Sequence, residues 1–232
     1  MADLEVTRRD QPVRGRTALL AVDLQEEFVG AAARVPVPRA AALVTGIAAL
    51  ARTVRRVGGV VVYTRFSLPD GVPAGRATAR FADPNLHRPP VDALAAGVHP
   101  GPGDIVLRKP RQSAFAGTGL DLTLRRLGVD RVVVTGVTSH TCCLATAIDA
   151  AALDYEVVVV SDLTSAPAVV VEGVEVLSAP AAHTAALAFM QHSCGSVYTA
   201  AELTSLLADE MGAEPFGSAT GPRRAGGSSA HG

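Results

Sequence analysis

The sequence predicts an α/β fold: a three-layer α/β/α sandwich around a mostly parallel six-stranded sheet. Short β-branched runs recur along the chain without polar/apolar alternation, as strands buried on both faces require. Alanine- and leucine-rich stretches with helical spacing lie between them. Strand alternating with helix implies βαβ units joined by right-handed crossovers. In such sheets ligands bind at the C-terminal ends of the strands.

The first strand is read in TALLAVDL (17–24), and a helix over 38–57 stops before Gly58 and Gly59. VVVYTRF (60–66) is the second strand. Residues 67–103 are rich in proline and glycine with weak periodicity. A loop that long inside a domain is usually functional or disordered, and we read it as an excursion on the substrate side. DIVLRK (104–109) follows, then a helix over 117–127 that ends at Gly128. RVVVTGV (131–137) leads into a helix over 142–153, and EVVVVSDL (156–163) precedes helix 180–192. GSVYTA (195–200) is a weaker strand, followed by a helix over 200–211. Residues 1–14 are read as an N-terminal extension, 15–212 as the domain, and the Gly/Ser/Ala/Pro-rich 213–232 as a disordered tail.

Composition narrows the function classes. The 232 residues carry a net charge of −1, which offers no electrostatic case for nucleic acid or an anionic membrane. No tryptophan and 4% aromatic residues argue against a base-stacking surface. The longest apolar runs are about six residues, too short to span a bilayer. The N-terminus mixes charges of both signs and shows no secretory signal. Three cysteines, Cys142, Cys143 and Cys194, make no disulfide framework, so a reducing cytoplasm is expected.

Three polar residues end three strands. Asp23 terminates TALLAVD, Lys109 terminates DIVLRK, and Cys142 follows RVVVTGV by a short turn. Parallel strands would gather all three along one sheet edge. A thiol at a helix start is biased toward thiolate by the positive end of the helix, and Lys109 would add to that bias. Asp23 would take the thiol proton and later activate water, and Cys142 would attack a carbonyl to form an acyl-enzyme. Taken singly, Asp23 could cap a helix, Lys109 could be a solvated strand end and Cys142 a small buried residue.

VDLQEEF around Asp23, RKPRQSAFAGTGLDLTLRRLGVDRVVVTGV around Lys109, and TCCLATAIDAAALDYEVVVVSDLTSA from Cys142 resemble the isochorismatase-like cysteine hydrolase superfamily. The resemblance covers residues 15–205. It implies an Asp23–Lys109–Cys142 triad, a non-proline cis peptide between Val137 and Thr138, and an oxyanion hole from the backbone N–H groups of Thr138 and Cys142. It also implies a small amide-type substrate, no cofactor, and a homo-oligomer of two or four chains. SAFAGTGLDLTL is most similar to the N-carbamoylsarcosine amidase and ureidoacrylate amidohydrolase branches, which points to hydrolysis of an amide, carbamoyl or lactam C–N bond. Metal-dependent nicotinamidases carry histidines after the second strand. YTRFSLPDGVPAG has none, so no metal is expected and a nicotinamidase-like activity is a lesser alternative. His140, Cys143 and Leu144 resemble the isochorismatase pattern, which keeps vinyl-ether hydrolysis open. There Asp23 would be essential and Cys142 dispensable. A third possibility, a non-catalytic binding member, would be marked by a broken triad.

Pocket candidates are Gln25 and Phe28 after the first strand, Phe66 after the second, Phe115 after Lys109, and His140. Arg65 and Arg111 could hold a substrate carboxylate, although a solvated charge is the plainer reading. Cys143 and Cys194 are read as packing residues, and Asp162 as a cap or loop brace. Segment 167–180 could be a lid or a subunit contact.

Overall fold

The computed structural model describes residues 16–68, 73, 75–76, 78–80 and 86–212. The predicted extension 1–14, the tail 213–232 and part of the 67–103 excursion lie outside them. The chain runs β1 (Arg16–Val22), α1 (Glu26–Val29), α2 (Ala40–Arg56), β2 (Val60–Phe66), β3 (Ile105–Lys109), α3 (Leu120–Arg126), β4 (Val129–Val137) and α4 (Leu144–Ala152). It continues through β5 (Glu156–Ser165), β6 (Val169–Val171), β7 (Val174–Leu177), α5 (Ala179–Ser193), β8 (Ser196–Tyr198) and α6 (Ala200–Gly212).

Six strands form one sheet in the order β3-β2-β1-β4-β5-β8, and every neighbouring pair is parallel. This is the predicted α/β architecture. Side chains alternate across the sheet, so each central strand feeds two cores. Leu19 and Ala21 of β1 join Val61, Val133 and Val158 beneath α2 and α6. Ala18, Leu20 and Val22 join Val62, Val132 and Val157 beneath α3, α4 and α5. Burial on both faces is why β1, β4 and β5 read as unbroken apolar runs. At the sheet's edge, β3 alternates between half-buried and exposed residues instead, because the helical layers do not cover the margin.

Strand order reverses between β1 and β4. Chains leaving these two strands diverge in opposite directions, and a crevice opens at their C-terminal ends. Gly136 permits the close approach there. Its φ is +99°, and an added Cβ would lie 2.0 Å from the Val22 carbonyl oxygen.

Besides the π-helical turn that precedes α4, two local structures were not read from the sequence. A short helix, α1, follows Asp23. Segment 167–180 contains an antiparallel hairpin, β6–β7, turned at Glu172 and Gly173 with φ of 51° and 80°. Two β-branched runs separated by two residues that accept positive φ are the usual signal for such a turn.

Candidate active site

Asp23, Lys109 and Cys142 meet at the crevice. Asp23 leaves β1 with a φ of 51°, a left-handed conformation that aspartate tolerates better than most side chains. Its carboxylate accepts a hydrogen bond from the Thr64 hydroxyl at 2.6 Å, and the Asp23 N–H donates to the same hydroxyl oxygen at 3.1 Å. Thr64 of β2 thereby clamps the carboxylate. Lys109 comes from two strands away, a span of about 10 Å in the sheet, which a lysine side chain can help to bridge. Its Nζ lies 2.8 Å from Asp23 Oδ2 and both side chains are fully buried. Lys109 Nζ also donates to the carbonyls of Arg111 at 3.0 Å and Gln112 at 2.8 Å. It crosses the face of Phe66, 4.5 Å from the ring centre. Burial by itself would lower the basicity of Lys109, but the Asp23 carboxylate and Cys142 reverse this, and its pKa is raised. The ammonium therefore stays charged.

Cys142 Sγ lies 3.5 Å from Lys109 Nζ. The cysteine does not sit in the first turn of α4, as the sequence predicts. It belongs to a π-helical turn, Ser139–Cys143, that precedes α4. Thr138 opens this turn, its carbonyl accepting from the N–H groups of Thr141 and Cys143, each at 3.1 Å, and the Val137–Thr138 peptide bond is cis. Burial opposes the expected bias toward thiolate. Burial pushes the Cys142 pKa up to about 12; Lys109 pulls it down, and Asp23 pushes it up again. Desolvation outweighs the lysine, so the thiol holds its proton at neutral pH. Cys143 points into the core, its Sγ 3.8 Å from the Thr135 carbonyl oxygen. Burial raises its pKa well above the usual thiol value. Cys194 packs half-buried against the same core.

A cavity of about 300 Å³ opens onto Cys142. Phe28, Phe66, His140 and Thr138, all predicted for the site, line it. Gln25 and Phe115 do not, contrary to expectation. Gln25 is fully buried. Its amide donates to the carbonyls of Phe66 and Asp92 and accepts from the Phe66 N–H at 2.7 Å, so it ties β1 to the excursion. Phe115 stacks on Tyr155 with ring centres 5.9 Å apart. The arginines are also placed elsewhere: Arg65 pairs with Asp92 at 3.2 Å, and exposed Arg111 donates to its neighbour Pro110's carbonyl. Asp162 accepts from the Ala200 N–H at the start of α6.

Other lining residues come from segments the sequence left undefined. The excursion supplies Leu86 and His87, and the hairpin segment supplies Pro167, Ala168, Val169 and Val170. His87 Nδ1 lies 2.7 Å from Glu27 Oε1, and the His87 ring stacks on Phe66 at 3.9 Å. Glu27 and His87 are sixty residues apart, which no local pattern reveals. Among the described residues, no group of three or more His, Cys, Asp or Glu side chains is placed to hold a metal ion.

A family model described as the isochorismatase domain matches residues 17–202. The chain belongs to the isochorismatase family. Among curated members, the streptothricin hydrolase of Streptomyces noursei is 36% identical over 145 residues, covering 62% of this chain and 48% of that protein. The ureidoacrylate amidohydrolase RutB of Pantoea ananatis is 44% identical over 71 residues, covering 31% of this chain and 28% of that protein. The matches thus span half of these relatives or less. Among solved structures, a cysteine hydrolase from Pseudomonas syringae pv. phaseolicola superposes with a TM-score of 0.76 at 28% identity, covering 84% of this chain and 93% of that one. An isochorismatase family protein from Burkholderia thailandensis gives 0.73 at 31% identity, covering 86% and 100%. Within this isochorismatase-family chain, the cavity lies where the strand order reverses, on the thiol itself.

Proposed function

We propose that this protein is a metal-independent cysteine hydrolase that cleaves the C–N bond of a small amide, carbamoyl or lactam through a thioester on Cys142. The observation that carries the reading is the contact of three buried groups, of which Cys142 lines the cavity: Lys109 Nζ lies within 2.8 Å of Asp23 Oδ2 and 3.5 Å of Cys142 Sγ. Relatives named as hydrolases and amidohydrolases support it.

Asp23 Oδ2 is buried against Lys109 Nζ at 2.8 Å, and a carboxylate held there as an anion suits a proton acceptor. As Sγ attacks the carbonyl carbon, the thiol proton passes to Asp23 and the carbonyl oxygen becomes an oxyanion. The backbone N–H groups of Thr138 and Cys142 stabilise it. The C–N bond then breaks, the amine leaves with the proton from Asp23, and a thioester remains. Asp23 next deprotonates a water that attacks the thioester, and the returning proton restores the thiol. Lys109 keeps its proton throughout and stabilises the passing negative charge.

The same reading places the enzyme in the cytoplasm, where its three free cysteines persist as thiols. No described helix is long and apolar enough to cross a membrane. It assigns an assembly of two or four copies, supported by the valines that β6–β7 exposes.

The test is ammonia release from a panel of primary amides and carbamoyl compounds, with ring opening of lactams followed by the new primary or secondary amine. Cys142→Ala should reduce turnover at least about a thousandfold, as loss of a nucleophile does, whereas Cys143→Ala should retain most of it. Full turnover by Cys142→Ala overturns the thioester route. Hydrolysis of a vinyl ether, followed by the carbonyl compound it releases, that survives Cys142→Ala and is lost in Asp23→Asn would instead establish vinyl-ether chemistry, in which protonation by Asp23 suffices.

A further inference from the structure

Three charge pairings decide what the cavity can accept. Lys109 is neutralised by Asp23. His87 is held by Glu27 at 2.7 Å. Arg65 is engaged with Asp92. No Lys, Arg, Asp or Glu is among the described residues lining the cavity. Its walls are Phe28, Val35, Phe66, Leu86, Val169 and Val170. His87, Gln112, Thr138, His140 and Thr141 add polar groups to these apolar walls. Among them, Nδ1 of His140 is buried with no hydrogen-bond partner among the described residues. Burial also lowers the His140 pKa, so the ring is uncharged at neutral pH. A buried polar atom without a partner costs free energy that a bound ligand can recover.

We propose, on the amidohydrolase reading above, that the substrate carries no formal charge, that its acyl part is small and mostly apolar, and that His140 Nδ1 supplies a hydrogen bond that orients it. A carboxylate-bearing acyl group would be desolvated in this cavity with no lysine or arginine among its described lining residues to meet it, which strongly disfavours binding. The hairpin is the specificity wall, because Val169 and Val170 face the cavity while lying outside the chemistry.

The test uses Cys142→Ala protein and two amides of equal chain length, pentanamide and glutaramate, with binding measured by ligand-observed NMR. Pentanamide should bind at least about tenfold more tightly, the discrimination expected when one ligand leaves a charge unpaired. Equal or tighter binding of glutaramate overturns the proposal, and so does failure of both amides to bind. His140→Phe should weaken pentanamide several-fold, and His140→Asn, whose amide can reach near the Nδ1 position, should restore it; unchanged binding in His140→Phe removes His140 from the assignment. Val170→Arg alters a residue that is 57% exposed, so folding should tolerate it, and it should raise glutaramate affinity by supplying the missing cation. Ammonia release by the unmodified protein is read separately. Pentanamide that binds but is not cleaved defeats the amidohydrolase reading and leaves the specificity assignment intact.

Discussion

Cys142 illustrates a competition between two local effects. A neighbouring ammonium favours thiolate and burial favours thiol. Here burial wins and the pKa rises to about 12. On the proposed mechanism, the nucleophile is therefore generated during attack, by transfer to Asp23, rather than stored. The sign of the pH dependence follows. Well below the folded pKa the thiolate fraction grows about tenfold per pH unit. Alkylation of Cys142 by iodoacetamide should therefore climb steadily from pH 7 through pH 9. A plateau by pH 9 would mean that the lysine has prevailed and the thiol rests ionised. Asp23 and Lys109 were legible in the sequence because each ends a strand, and Cys142 because it follows a strand by a short turn; the family resemblance joined the three. Thr64 and the Glu27–His87 pair were not. Thr64 looks like any strand threonine, and the other two are joined only by folding.

Among the elements, the strand β4 and the turn after it depend on one glycine. At φ +99°, with the Val22 carbonyl 2.0 Å from any added Cβ, Gly136 has neither the conformation nor the space for a side chain. Gly136→Ala should cost ~2–4 kcal/mol of unfolding free energy by strain and displacement. Urea denaturation followed by circular dichroism measures it, and a loss below about 1 kcal/mol would show that β1 and β4 yield easily. The strands and long helices were predictable because their apolar patterns are local and strong. The π turn was not, since TSHTCC carries no marker that separates it from the start of α4. Gln25 misled for a related reason. Position after a strand suggests a pocket wall, but the direction of its side chain depends on the excursion, whose backbone supplies its Asp92 partner.

Across the molecule, the reversal of strand order between β1 and β4 sets where the crevice lies, and the excursion and hairpin wall it. The hairpin turns Val171, Val174 and Val176 to solvent at 53%, 62% and 52% exposure, more than a free hairpin needs to expose. If this surface joins two copies, Val174→Glu with Val176→Glu should shift the sedimentation of the assembly to that of the monomer. An unchanged sedimentation profile would place the contact elsewhere or rule out an assembly. The order of strands and helices, their placement in an α/β sandwich and the identity of the three strand-end groups are properties of local pattern, so the amino-acid sequence alone suffices for them. Protonation of Cys142, the charge balance of the cavity and the choice of Leu86, His87, Val169 and Val170 as its walls are not. These depend on desolvation and on contacts between residues remote along the chain, and both arise only when the layers pack.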